Sequence, residues 1–182
     1  MTNIKQNNTL ILIIDIQEKL LNAVYNKETL SKNAEIIAKA SNILKIPVLV
    51  TEQYPQGLGK TVDIITENLS ENSLFFEKLD FSALNNIDLF KQIEKFNPQN
   101  ILLFGIETHI CVYQTAIDLL SKGFNVTLVY NLSGSRSASE HEAAINCLRI
   151  AGCDIKTLEM VLFEILASAK HPNFKQIQAL IK

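Results

Sequence analysis

The chain has 182 residues, and 17 Lys plus Arg against 19 Asp plus Glu leave a formal net charge of −2. Hydrophobic residues are 47% and charged residues 20%, which excludes a disordered chain and fits one domain spanning residues 1–182. The near-neutral charge, with no basic block, argues against a nucleic-acid partner.

The N-terminal stretch Met1 to Asn8 is polar and lacks the layout of a signal peptide. Thr9 to Ile14 is a continuous apolar run, the kind of strand buried on both faces of a parallel sheet. Asp15 breaks it well short of the roughly 20 apolar residues of a membrane span. Glu28 to Leu44 has helical spacing, with Leu30, Ala34, Ile37, Ala38, Ser41 and Leu44 on one face. Strand Val48 to Thr51 follows Pro47. Gln53 to Gly59, with Pro55, Gly57 and Gly59, reads as a loop. Gly59-Lys60-Thr61 imitates the end of a phosphate-binding loop, but Tyr54 stands where its first glycine is required.

Leu74 to Glu77 is a third strand, and Leu84 to Phe96 a helix stopped by Pro98. Strand Asn100 to Phe104 ends at Gly105. Helix Ile110 to Lys122 is closed by Gly123. Val126 to Tyr130 is a fifth strand. Ser139 and Glu142 have capping-box spacing for a helix Glu140 to Ala151. Asp154 to Thr157 is a sixth strand, and helices Met160 to Ala169 and Asn173 to Ile181 finish the chain. This alternation predicts a three-layer α/β/α fold with a six-stranded parallel sheet, order 3-2-1-4-5-6.

That order makes strands one and four neighbours, so their carboxyl ends flank the ligand crevice. Asp15 ends strand one. Cys111 falls in the first turn of the helix after strand four, where the helix dipole favours a thiolate. Lys78 follows strand three and can hold the Asp15 carboxylate charged. Together they suit nucleophilic catalysis: a carboxylate takes the thiol proton and the thiolate attacks an electrophilic carbon. Backbone N–H groups in the turn from Gly105 to Cys111 can receive the oxyanion.

Three other groups carry weaker signals. Cys147 and Cys153 read as core, leaving Cys111 without a resolving partner for redox chemistry; the odd cysteine count points to reduced thiols and a cytoplasmic protein. Arg136, among Ser135, Ser137 and Ser139, reads first as part of a helix N-terminus capped by those serines, and otherwise as a carboxylate or interface contact. His109, His141 and His171 are scattered, with no metal-ligand spacing, and His141 looks exposed.

Three segments carry a resemblance across almost the whole chain. They are Asp15-Ile16-Gln17; Lys78 followed by Asp80-Phe81-Ser82; and Gly105-Ile106-Glu107-Thr108-His109-Ile110-Cys111-Val112. They resemble the isochorismatase-like cysteine hydrolases. Thr51-Glu52-Gln53-Tyr54-Pro55, Ser133-Gly134-Ser135-Arg136-Ser137 and the tail His171 to Lys175 are similar to a narrower group, the isochorismatase domain-containing proteins. The resemblance implies a catalytic triad of Asp15, Lys78 and Cys111. It also implies a cis peptide between Ile106 and Glu107 that aims the amides of Glu107 and Cys111 at an oxyanion. The substrate would be a small molecule with an amide-type C–N bond, and homo-oligomers are expected. Gln17, Gln53, Tyr54 and Thr108 are candidate substrate contacts. Glu52-Gln53-Tyr54 stands where metal-binding nicotinamidases carry Asp-x-His, so no metal and no cofactor are expected. The rival readings are a binding module that keeps the fold without turnover, and a redox-active thiol.

Overall fold

Uninterrupted apolar runs need cover on both faces, and the sheet of this protein has it. The computed structural model describes residues 4–182, so the first residues of the polar N-terminal stretch lie outside it. In chain order the elements are β1 (Thr9–Ile14), α1 (Glu18–Leu21), α2 (Lys27–Ile43), β2 (Val48–Gln53), α3 (Pro55–Leu58), α4 (Asp63–Thr66) and β3 (Leu74–Lys78). Then come α5 (Ile87–Phe96), β4 (Asn100–Gly105), α6 (Tyr113–Ser121), β5 (Asn125–Val129), α7 (Ala138–Ile150), β6 (Asp154–Lys156), α8 (Leu158–Leu166) and α9 (Phe174–Leu180).

The strands form one parallel sheet in the order β3-β2-β1-β4-β5-β6, as the alternation predicts. Successive residues of β1 serve opposite faces. Ile11 and Ile13 join a core with α2, α8 and α9, while Leu10, Leu12 and Ile14 join one with α5, α6 and α7. The sheet is thus the middle of three layers. No described helix is long and apolar enough to cross a membrane.

Several local expectations are corrected. The loop after β2 contains the one-turn helix α3, with Pro55 at its first position, and α4 follows. The helix read as Leu84 to Phe96 is two pieces, because side chains cap inside it. Ser82 Oγ accepts from Leu84 N over a 3₁₀ turn (Ala83–Asn85), and Asn86 Oδ1 accepts from Leu89 N to start α5. Tyr130 belongs to a 3₁₀ turn after β5, not to the strand. Ser139 and Glu142 form no capping box. Ser137 Oγ caps Glu140 N, and Glu142 instead accepts from the Tyr130 hydroxyl at 2.6 Å.

α7 also turns a different face inward from the one expected. His141, Ala144, Ile145 and Leu148 face the core, so His141 is buried and Cys147 exposed, the reverse of the sequence reading. Cys153 is buried. α8 begins at Leu158 because Thr157 caps it, and ends at Ala167 in the left-handed region.

Candidate active site

The site lies where β1 and β4 part. Ile14 pairs with Gly105 at the carboxyl ends of the two strands. A Cβ at Gly105 would stand 1.9 Å from the Ile14 carbonyl oxygen, so only glycine lets the strands close to this distance. The next residue of β1, Asp15, has φ +50°, which turns its carboxylate out of the strand's alternation. It is fully buried. Thr51 Oγ1 donates to Asp15 Oδ1 at 2.7 Å, and Lys78 Nζ to Asp15 Oδ2 at 2.7 Å. The lysine side chain is 2% exposed, so this ion pair is screened little by solvent.

The chain after Gly105 makes the other wall. The peptide between Ile106 and Glu107 is cis. Gly134 N donates to Gly105 O and Thr108 N to Gly134 O, stitching this segment to the loop after β5. A single π-helical turn (Thr108–Val112) then precedes α6. It brings the Cys111 thiol beside the Asp15–Lys78 pair, close enough for both charges to act on it. The sequence reading put Cys111 at a helix N-terminus and expected a thiolate. The thiol instead belongs to the apolar cluster of Leu12, Ile14, Val112 and Ala116 and is 7% exposed. Burial, then the Asp15 carboxylate, push its pKa up to about 12; Lys78 opposes them and loses. Burial thus works against the thiolate that a helix N-terminus would favour.

The other sequence candidates take different places. Gln17 is fully buried and its amide is engaged by main chain: Nε2 donates to Gln53 O at 3.0 Å and Gly59 O at 2.5 Å, and Oε1 accepts from Gln53 N at 2.8 Å. It braces the loop and has no amide hydrogen to offer a substrate. Gln53 turns its side chain to Lys78 and Leu79. Thr108 is buried against His141, its hydroxyl 2.9 Å from Nδ1. Tyr54 is half-exposed at φ +37°, and its ring lies over Gly57, where a Cβ would stand 2.2 Å from the ring.

Glu107 offers its N–H no acceptor among the described residues, while its carboxylate takes Arg136 Nε at 2.9 Å. Arg136 is therefore a carboxylate partner rather than part of a serine cap. His109 Nδ1 lies 3.0 Å from Ser135 Oγ, away from any dyad with Cys111. Lys60 Nζ and the Thr61 N–H and hydroxyl all donate to the buried Glu52, so this glycine-lysine-threonine run anchors the loop. Burial alone would raise the Glu52 pKa, but these donors outweigh it and lower it. Among the described residues no group of three or more His, Cys, Asp or Glu converges as a metal site. Sequence reasoning missed Thr51. The available signal was a hydroxyl at the carboxyl end of an apolar strand, in register with Ile14.

A family model described as the isochorismatase domain matches residues 9–160, most of the chain. The chain belongs to the isochorismatase family. It is 35% identical over 179 residues to isochorismatase family protein 1A of Dictyostelium discoideum, covering 96% of this chain and 86% of that one. It is 36% identical over 174 residues to isochorismatase domain-containing protein 2 of Danio rerio, covering 95% and 86%. The solved structure of a protein called MAR1 ribonuclease, from Caenorhabditis elegans, superimposes with a TM-score of 0.94 at 36% identity, over 99% of this chain and 92% of that one. In this isochorismatase-family chain Asp15, Lys78 and the segment from Gly105 to Val112 come together at the carboxyl ends of β1, β3 and β4.

Proposed function

We propose that the protein is a metal-independent cysteine hydrolase that cleaves an amide-type C–N bond in a small molecule, with Asp15, Lys78 and Cys111 as its catalytic triad. What supports this reading is a buried Cys111 thiol that feels the charge of a carboxylate itself held by a buried ammonium. Burial raises the pKa of the thiol well above its ordinary value, so in this scheme its proton leaves as it attacks. Asp15 takes that proton while Sγ bonds to the carbonyl carbon. The oxyanion falls to the N–H groups of Glu107 and Cys111. As the C–N bond breaks, Asp15 returns the proton to the leaving nitrogen, and the amine departs from a thioester. Water, deprotonated by Asp15, then releases the acid and restores the thiol. Lys78 keeps Asp15 anionic between these steps.

The test is turnover and covalent capture. Incubation with a panel of small primary amides should release ammonia and give a transient acyl mass on the Cys111 peptide. Cys111→Ala should lose both. Hydrolysis retained in that variant would sink the scheme.

RNA is the second reading, favoured by the likeness to the worm protein called a ribonuclease. The charge balance of −2 and the 7% exposure of the nucleophile speak for a small neutral substrate over a polyanion. Cleavage of RNA lost in Cys111→Ala, with no amide turned over, would reverse the preference. We read the three free thiols as those of a cytoplasmic protein, and the protein as a homo-oligomer whose copies meet along the β3 edge.

A further inference from the structure

Lys78 has three N–H bonds and all of them point at protein. Its Nζ lies 2.7 Å from Asp15 Oδ2, 2.6 Å from Gln53 Oε1, and 3.3 Å from both the Asp80 and Phe81 carbonyl oxygens. Of the two short contacts, one is the ion pair and the other is the neutral amide of Gln53. That amide has one workable orientation. With Oε1 towards the ammonium, Nε2 donates to Leu79 O at 2.7 Å; turned over, NH₂ would meet NH₃⁺ and C=O would meet C=O. The backbone of Gln53 is fixed as well, since Gln17 holds both its N–H and its carbonyl, and Gln17 has no exposed surface through which to relax. Opposite ends of one residue are thus clamped, by a buried amide on one side and by the main chain after β3 on the other.

We propose that Gln53 is a positioning residue: held by Gln17, it fixes the ammonium of Lys78 and thereby sets how readily Asp15 and Cys111 exchange a proton. Gln53 touches no reacting atom and acts through Lys78. The inference rests on reading Asp15, Lys78 and Cys111 as one site. Its test uses the thiol as reporter and needs no substrate, so it stands apart from the amidase assignment.

The experiment measures carboxamidomethylation of Cys111 by iodoacetamide against pH. It is done in a Cys147→Ser background, because Cys147 is exposed and would also react. Gln53→Leu removes both amide bonds at similar size. It leaves the ammonium less well held and weakens its support of the thiolate, so the reactivity at pH 7 to 8 should fall several-fold. Gln53→Glu keeps an acceptor for Lys78 but adds a negative charge, and should move the profile up by about one pH unit. Profiles that superimpose on the parent in folded variants, whatever their melting temperatures, would overturn the inference. If Gln53→Leu fails to fold, Gln53→Glu decides alone. If Cys111→Ala still hydrolyses amides, the amidase reading falls, while the alkylation profiles still decide the role of Gln53.

Discussion

A buried thiol beside a buried carboxylate sets two effects against each other, and the site's chemistry depends on the balance. The Asp15 charge raises the Cys111 pKa, second only to burial, yet the same carboxylate is the proton acceptor in the proposed reaction. Asp15→Asn separates these roles. With the negative charge gone and Lys78 still near, the thiol pKa falls, so alkylation of Cys111 at pH 7 to 8 should quicken. Amide turnover should drop by about 10²-fold or more, because no base remains. Slower alkylation in the variant would show that the carboxylate helps the thiolate form and that its sign is misread. Lys78 would be left a buried ammonium without counter-charge, at a cost of about 3 kcal/mol. Asp15, Lys78 and Cys111 were legible because each lies at or just beyond the carboxyl end of a strand, and the strand order brings those ends together. Gln17, Gln53 and Thr108 were read as substrate contacts because sequence shows a polar residue near a site and not where its atoms point. Thr108 and His141 find each other across 33 residues, a pairing no spacing rule reaches.

At the scale of elements, the apolar strands and glycine-closed helices were readable, and the misjudged boundaries were mostly those where a side chain competed to cap. The phase of α7 is the clearest case. Ser137 takes the cap in place of Ser139, and His141 faces the interior with Nε2 unpartnered among the described residues, edge-on to Tyr130 and near Tyr25. Burial lowers the His141 pKa below 6.5, and the nearby Glu142 only partly opposes this. The unfolded chain therefore binds a proton more readily than the folded one below pH 6.5. Stability from this residue is whole above that pH and is lost as pH falls through 6.5 towards the folded value. In urea melts, His141→Phe should be less stable at pH 7.5 by about 1–2 kcal/mol, having lost the Thr108 bond, but flatter between pH 6.5 and 5. Parallel pH curves for the two proteins would refute the assignment. The β1–β4 junction makes a second element-scale prediction. Gly105→Ala drives a methyl into the Ile14 carbonyl in a positive-φ residue and should cost about 3 kcal/mol or more. For a chain of this length that is a fall of roughly 6–12 °C in Tm, measurable by calorimetry. An unchanged Tm would mean that the two strand ends are not so close.

Across the whole molecule, apolar surface is distributed unevenly. Ile87, Ile150, Met160 and Phe163 are exposed elsewhere, but the densest run of exposed apolar side chains follows the β3 edge. Leu74, Phe75, Leu79 and Phe81 are all exposed, Leu79 at 73% and Phe81 at 52%, within eight consecutive residues that include the buried Lys78. β3 is a terminal strand of the sheet, so its outer edge also presents unpaired main-chain groups. An apolar band on an open edge is what a self-associating protein shows, and a monomer would be prone to aggregate through it. The strand could not be read as a contact surface from sequence, because Leu-Phe-Phe looks like any buried strand until its place at the end of the order is known. If copies of the chain meet here, they meet beside the Asp80 and Phe81 carbonyls that receive Lys78, and assembly and site are coupled. Leu79→Glu with Phe81→Ser should then reduce the mass found by sedimentation equilibrium and shift the Cys111 alkylation profile in the same variant. A smaller species with an unaltered profile would place the contact at this edge but separate it from the site. An unaltered mass would move the contact away from β3, leaving the exposed face of α8 as the next surface to mutate.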